Sequence, residues 1–261
     1  MIIKIFKMKL VKTIIFSLLL SAMFFSCRKD NTLKDLGDIP GLGGDSWTQT
    51  SIDKWIYDSL VVPHNIDVKY KWDQFAVNHV DKNMVPVYED KVIPVMGAVK
   101  RVWVWPYINE AGLAFFNKYS PKFFVLAGSG AVNSDGTVVL GVAEGGKQIQ
   151  LFQLNEYRNK SMKNYAPSDS NINLQIFHTI HHEFTHIFDQ TIKRPSEFDN
   201  VSQGGYSSSW YTQSDDEARS KGFITAYASS AAVEDFAEMV GLMLLYGRSQ
   251  WNYIIANIGD Y

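Results

Sequence analysis

Residues 174–190 read LQIFHTIHHEFTHIFDQ and contain four of the six histidines in the 261-residue chain. Within this stretch, His182-Glu183-Phe184-Thr185-His186 forms a complete HExxH motif. Residues four apart lie one turn apart on the same helix face, so His182 and His186 can bind one metal ion. Glu183 directly follows the first ligand and can act as general base on a water bound to that ion. The stretch therefore predicts a helix that carries a hydrolytic zinc site.

The predicted helix has two chemically distinct faces. At about 100° per residue, one face is an apolar stripe, formed by Phe177, Ile180, Phe184, Ile187 and Phe188. The opposite face carries His178, His182, His186 and Asp189. A chance match with merely exposed histidines is the alternative, and the segregated faces argue against it. We expect His178 to support the site or face solvent, and His181 to be a hydrogen-bonded structural histidine.

A zinc site of this kind needs a third protein ligand and an open fourth position. The motif does not continue as HExxHxxGxxH, because residue 189 is Asp and residue 192 is Ile. A second predicted helix, SSAAVEDFAEMVGLMLLYG (229–247), is the best source of the ligand. Its predicted buried stripe is Val233, Phe236, Ala237, Val240 and Leu244, and Glu234 and Glu238 share another face. Burying carboxylates on an apolar helix costs free energy unless a positive group, such as a metal ion, pairs with them. The alternative is that these carboxylates form a solvent-exposed acidic face at the start of the helix.

The N-terminus predicts export. Residues 1–26 combine a basic start with an apolar run that is short for a membrane span, which needs about 20 apolar residues. Cys27 is the single cysteine, and Phe24-Phe25-Ser26-Cys27 resembles a bacterial lipobox. We therefore expect a lipoprotein signal peptide at 1–26 and lipidation of Cys27. The alternatives are an ordinary cleaved signal with a stray cysteine and an uncleaved anchor.

The rest of the chain divides into a tether and one domain. Residues 27–48 are polar and punctuated by Gly and Pro, which predicts a flexible tether, and 49–261 can form a single domain. The signal holds four of the 25 Lys and Arg residues and none of the 27 acidic residues, leaving 21 basic residues. This mildly acidic balance gives no reason to expect nucleic acid as a partner.

The order of predicted elements indicates an α+β fold. Helices and strands are both expected before the HExxH stretch. The patterns predict helices at 52–61 and 90–104 and strands at 66–72, 123–126, 137–142 and 148–154. From the HExxH stretch onward, only helices are expected.

Two segments carry a family resemblance. HEFTHIFD and YASSAAVEDFAE resemble the lethal-factor-like group of gluzincin peptidases. The resemblance implies a zincin-like metallopeptidase fold: a small mixed sheet, an HExxH active-site helix and a following glutamate-ligand helix. It implies one Zn²⁺ per chain with Glu234 as third ligand, and Tyr227, seven residues earlier, as donor to the developing oxyanion. It also implies that Glu238 supports the ligands and that Asp189 orients a ligand imidazole.

The whole chain also resembles zinc-binding metallopeptidase lipoproteins associated with TonB-linked nutrient import. This implies a peptide or protein substrate, membrane attachment through the lipid, and an outer-membrane import complex as partner. The expected location is the cell envelope, as an outer-membrane lipoprotein facing the periplasm or the surface. Relatives continue with further helix, so we expect a C-terminal piece to be missing.

Two other functions remain open from the residues. Seven Trp and thirteen Tyr allow a non-catalytic surface lipoprotein that binds glycan or peptide, because exposed aromatic rings stack on sugars. Most of these rings are expected in the core or in interfaces. A purely structural zinc site usually has four Cys or His ligands, and this chain has no cysteine to spare.

Overall fold

The computed structural model describes residues 47–73, 76–77, 84–133, 136, 138–139, 141–144 and 146–256. Gln49–Tyr261 form one compact unit. The predicted signal peptide (1–26), Cys27 and most of the tether (27–48) lie outside the described residues. Within the described part, no helix is both long enough and apolar enough for a membrane span.

The fold begins with a capped helix. α1 (Ser51–Ile56) is capped by Thr50, whose hydroxyl accepts from the Asp53 amide while the Asp53 carboxylate accepts from the Thr50 amide. The helix continues through a π-helical segment (Tyr57–Val61) into α2 (Val62–His64). It runs beyond residue 61, the predicted end, passes Pro63 and ends at Asn65, whose backbone is left-handed.

A second helical segment confirms the helix predicted at 90–104. α3 (Glu89–Val99) contains Pro94 and continues as a π-helical segment (Lys100–Val104). α4 (Trp105–Ala111) and α5 (Leu113–Tyr119) follow, separated by Gly112 at φ 87°. A positive φ is accessible to glycine without a steric penalty, which allows the chain to turn there.

The main sheet is small and mixed, as predicted. Its strands are β1 (Asp67–Lys69), β2 (Phe123–Leu126), β5 (Gly141–Glu144) and β6 (Gln148–Leu151), in the order β1-β2-β6-β5. β2 is parallel to β1 and β6, whereas β5 is antiparallel to β6 and lies at the sheet edge. β3 (Ala131–Val132) and β4 (Val138–Val139) form a separate antiparallel pair.

The second half of the described chain is helical. α6 (Asp169–Thr191) and α9 (Ala232–Ala256) are the long helices, and α9 has a non-helical residue at Gly247 (φ 70°, ψ 172°). The short helices between them are α7 (Phe198–Val201) and α8 (Asp215–Ser220). Three 3₁₀ turns complete the set: Leu154–Glu156, Trp210–Thr212 and Tyr227–Ser230. α6 packs against β5, β6 and α9, so it lies between the sheet and the last helix.

An aromatic cluster fixes α6 in the core. Trp103 is fully buried, and its ring lies 5.0 Å from the rings of both Phe116 and Phe184. Phe124 of β2 meets the same indole at 5.8 Å. The cluster thus joins the π-helical segment Lys100–Val104, α5, the sheet and the apolar face of α6. Its rings meet edge to face, a geometry that aromatic pairs favour.

The buried face of α9 differs from the predicted one. Val233 and Leu244 of the predicted stripe are 40% and 47% exposed. Ala237 of the predicted stripe is buried, together with four residues outside that stripe: Asp235, Glu238, Gly241 and Leu242. The helix turns its carboxylates toward the histidines of α6, and these polar partners decide the orientation because a buried carboxylate without them would be costly.

Candidate metal centre

Three side chains from two helices converge on one point. His182 and His186 lie one turn apart on α6, and Glu234 lies in the first turn of α9. The Nε2 atoms of the two histidines are 3.0 Å apart. Glu234 Oε2 lies 3.0 Å from His182 Nε2 and 3.2 Å from His186 Nε2. These atoms form a nearly equilateral triangle of metal-type donors.

The triangle fits zinc. Tetrahedral coordination with bonds of about 2.0–2.1 Å places neighbouring ligand atoms about 3.3–3.4 Å apart. The observed separations of 3.0–3.2 Å need to open by only a few tenths of an ångström. Two imidazoles and one carboxylate are also a donor set that zinc accepts at catalytic sites. The residues present therefore fit the ion.

Glu238 orients the first histidine. Its Oε1 lies 2.8 Å from His182 Nδ1, and its Oε2 accepts from the Thr225 hydroxyl at 2.7 Å. A proton on Nδ1 of His182 leaves the Nε2 lone pair directed at the donor triangle, and a carboxylate partner increases the basicity of the ring. His178 Nε2 lies 2.9 Å from the same Oε1, so the Glu238 carboxylate contacts two imidazole rings.

The electrostatics of the site favour a cation. Burial opposes ionisation of Glu234, but hydrogen bonds from His182 and His186 outweigh it and hold the pKa of Glu234 well below its ordinary range. Glu238 behaves in the same way through His178 and His182, and its pKa is also lowered. Burial lowers the pKa of His182, but the hydrogen bonds to Glu234 and Glu238 prevail and raise it to about 10. Two ionised carboxylates thus stabilise positive charge at the triangle.

Gly241 permits the close packing of α6 and α9. A methyl group added there would lie 3.3 Å from the His182 backbone nitrogen and 3.3 Å from His178 Cδ2. Such contacts are tight, so a side chain at this position would require its neighbours on α6 to shift by a few tenths of an ångström. Because Glu238 lies one turn before Gly241, this approach sets the distance between the carboxylates and the histidines.

The expected catalytic residues lie beside the triangle. Glu183 is buried, and it lines a cavity of about 330 Å³ together with His182 and Tyr227. The Tyr227 ring lies 5.8 Å from the His182 ring. Burial, then the charge of Glu234 and a hydrogen bond to it, raise the pKa of Tyr227, so its hydroxyl keeps its proton. Of the three triangle residues, His182 lines this cavity, so open space adjoins that corner of the triangle. A catalytic zinc site, unlike a structural one, needs such space for a water or a substrate.

Comparison with known proteins assigns the chain to a family. Residues 45–261 match the family described as "Putative zinc-binding metallo-peptidase". The chain belongs to this family. A crystal structure of a putative zinc-binding metallo-peptidase from Bacteroides caccae is similar over 82% of this chain and 81% of that chain, at 29% identity and a TM-score of 0.62. No curated protein matches the sequence significantly.

Two residues of this metallo-peptidase family member have contacts other than those expected. The resemblance assigned Asp189 to a ligand imidazole, but its carboxylate accepts from the backbone amide of Arg194 at 2.8 Å and from its guanidinium. The chain turns back after α6 and brings Arg194 to it. His181 was expected to be hydrogen-bonded; it packs against the Tyr107 ring, its Nδ1 has no partner, and burial lowers its pKa to about 4.

Sequence reasoning missed three contributors to the site. Thr225, Gly241 and Trp210 lie outside the HExxH motif, and Trp210 packs edge-to-face on Tyr227 at 4.9 Å. A glycine one turn after Glu238 was a usable signal for close helix packing. Nothing in the sequence marks Thr225 or Trp210, because their contacts depend on how the segment between α7 and α9 folds back.

We predict that Glu238→Gln lowers zinc affinity by about tenfold to a hundredfold, because the neutral amide no longer supports the charge and orientation of His182. The measurement is zinc affinity by competition with a chromophoric chelator. Glu110→Gln is the matched control, because Glu110 is exposed on α4. Equal affinities for the two variants would contradict the role assigned to Glu238.

Proposed function

We propose that this protein is a zinc-dependent peptidase of the HExxH gluzincin type, with one zinc ion per chain. The observation that carries the proposal is the convergence of His182, His186 and Glu234 beside a cavity that Glu183 also lines. Membership of a family described as putative zinc-binding metallo-peptidases supports the same function. The α+β fold with its small mixed sheet supports a zincin-like architecture.

His182, His186 and Glu234 would hold the ion, and Glu238 fixes the tautomer of His182. An ion held by these residues would supply Lewis acidity, which would lower the pKa of the attacking water and polarise the carbonyl group of a substrate. Glu183 accepts the proton from the attacking water and later delivers it to the leaving amine. Its burial keeps this carboxylate out of bulk solvent and beside the reacting groups.

Tyr227 acts as hydrogen-bond donor to the oxygen that becomes negatively charged. Its position against His182 places the phenol at the edge of the donor triangle. The raised pKa keeps the hydroxyl protonated, which a donor requires. A donor that is held in place before the reaction stabilises developing charge without reorganisation. Trp210 packs on the Tyr227 ring and restricts its movement.

The substrate binds in extended form along β5. This strand lies at the sheet edge next to α6, whereas β6 is flanked by β2 and β5. An edge strand offers unpaired backbone groups to a peptide, which can add as a further strand. Close contact of β5 with α6 supports this arrangement, because a methyl group at Gly141 would lie 2.3 Å from Thr179 Cγ2.

The protein works in the bacterial cell envelope as a lipid-anchored component linked to nutrient import. The basic and apolar segment that ends at Cys27 supports this location. Its partners there are a peptide or protein substrate, the outer membrane and an import complex, and the anchored domain faces the periplasm or the surface.

The test of function compares the wild-type protein with Glu183→Gln, both loaded with zinc. We predict one zinc per chain in both proteins, because Glu183 is not a ligand. We expect chelator-sensitive cleavage of a quenched peptide library by the wild type, and a kcat about 10²–10⁴ lower in the variant, which lacks the base. Metal analysis and fluorescence measure the two properties.

Each outcome of this comparison has a distinct meaning. Zinc without cleavage in the wild type would favour a non-catalytic surface protein that binds glycan or peptide. A folded wild-type protein that binds no zinc would overturn the metal site itself.

A second prediction concerns Tyr227→Phe. Removing the hydroxyl should lower kcat by about 10²–10³ with little change in KM or zinc content, because the donor acts mainly in the transition state. Tyr211→Phe is the control, since Tyr211 is 48% exposed and packs on Trp210 rather than on His182. Unchanged kcat in Tyr227→Phe would rule out the oxyanion role.

A third prediction concerns the anchor. Labelling with radioactive palmitate in a bacterial host should mark the wild-type protein, because lipid attaches to the thiol and amine of a processed Cys27. Cys27→Ser should remain unlabelled and partition into the soluble fraction. Label on the serine variant would place the lipid elsewhere.

A further inference from the structure

The cavity beside the donor triangle extends beyond the reacting groups. It has a volume of about 330 Å³, within the size range of small-molecule sites. One part of its wall is the site itself, formed by His178, His182, Glu183, Tyr227 and Glu238. The remaining wall comes from Asn133, Val138, Val139, Gly141, Thr179 and Trp210. The mechanism uses none of this second group directly.

The second wall has three apolar side chains, Val138, Val139 and Trp210, and two polar ones, Asn133 and Thr179. Val138 and Val139 come from β4, and the Trp210 indole comes from the segment before α8. No Lys or Arg is among the described residues of the wall. Glu238 adds little free negative charge, because both of its oxygens already have partners in Thr225, His182 and His178.

The position of β5 connects the cavity to the path of a peptide. Gly141 belongs to β5 and lines the cavity, and it lies against Thr179 of α6. Alternate side chains of an extended peptide point to the same side. A peptide that pairs with β5 can therefore direct one side chain into the cavity while its backbone passes the donor triangle.

We propose that this cavity binds an uncharged apolar side chain of the substrate, at a residue adjacent to the cleaved bond. The proposal rests on the proposed peptidase function and adds the substrate class to it. Val138, Val139 and Trp210 provide the contact surface that determines specificity. Burial of an apolar side chain against them releases water from apolar surface on both sides.

Charged side chains are excluded by the same wall. An aspartate or glutamate side chain would lose its water against this wall and find no Lys or Arg among its described residues. A lysine or arginine side chain would bring its charge into apolar surroundings close to the bound metal ion. Both cases favour leucine, phenylalanine or similar residues at this position.

The experiment measures kcat/KM of the zinc-loaded protein on peptides that differ at one position next to the cleaved bond. We expect leucine or phenylalanine to exceed alanine by on the order of tenfold to a hundredfold, and glutamate to be the poorest. Val138→Lys should raise the ratio of glutamate to leucine by about tenfold, because the ammonium group supplies the missing cation. Val138 is 44% exposed, so the fold tolerates the change.

Val62→Lys is the matched control, since it adds the same charge at a residue that is 65% exposed on α2 and absent from the cavity wall. It should leave the ratio unchanged. Two outcomes would overturn this inference and leave the peptidase function intact. One is cleavage by the wild type without preference for apolar side chains. The other is a glutamate-to-leucine ratio of kcat/KM in Val138→Lys that equals the ratio in the control. A zinc-loaded wild type that cleaves no peptide would overturn both.

Discussion

His182 lies between two carboxylates of a neighbouring helix, and the surrounding structure follows from this arrangement. Nδ1 meets Glu238 at 2.8 Å and Nε2 meets Glu234 at 3.0 Å. Two ionised groups on one buried helix face are tolerable only with compensating positive charge or hydrogen bonds. α9 therefore turns this face to α6, and the small residue Gly241 allows it to come close enough. Its larger apolar side chains, such as Leu244, remain exposed as a consequence.

The other face of α6 provides the rigidity that a catalytic site needs. Phe184 lies within the motif itself, between the proposed base Glu183 and the proposed ligand His186, and its ring packs on Trp103. One helix thus carries reactive groups on one side and core residues on the other. The proposed metal ligands are held by residues whose own positions are fixed by packing, which is how proteins keep such geometries accurate.

The sequence predicted local features well and long-range ones poorly. The motif helix expected around 174–190 is part of α6, and the carboxylate helix expected at 229–247 overlaps α9, because helical periodicity is a local property. The predicted buried face of α9 was correct at Ala237 and wrong at Val233 and Leu244, since counting apolar residues ignored the partners that α6 offers to the carboxylates. Strand order likewise depends on contacts distant in sequence, so the edge position of β5 required the structure. The pairing of Asp189 with Arg194 depends on the turn after α6.

Thr225 joins two parts of the site that have different tasks. Its hydroxyl donates to Glu238 at 2.7 Å and accepts from the Ala228 amide at 3.0 Å, within the turn that carries Tyr227. Thermodynamic linkage is reciprocal. If a bound metal ion stabilises this turn by a given free energy, then the ordered turn strengthens binding of the ion by the same free energy. Through the Thr225 hydroxyl, binding of an ion at the triangle would be coupled to positioning of the Tyr227 ring.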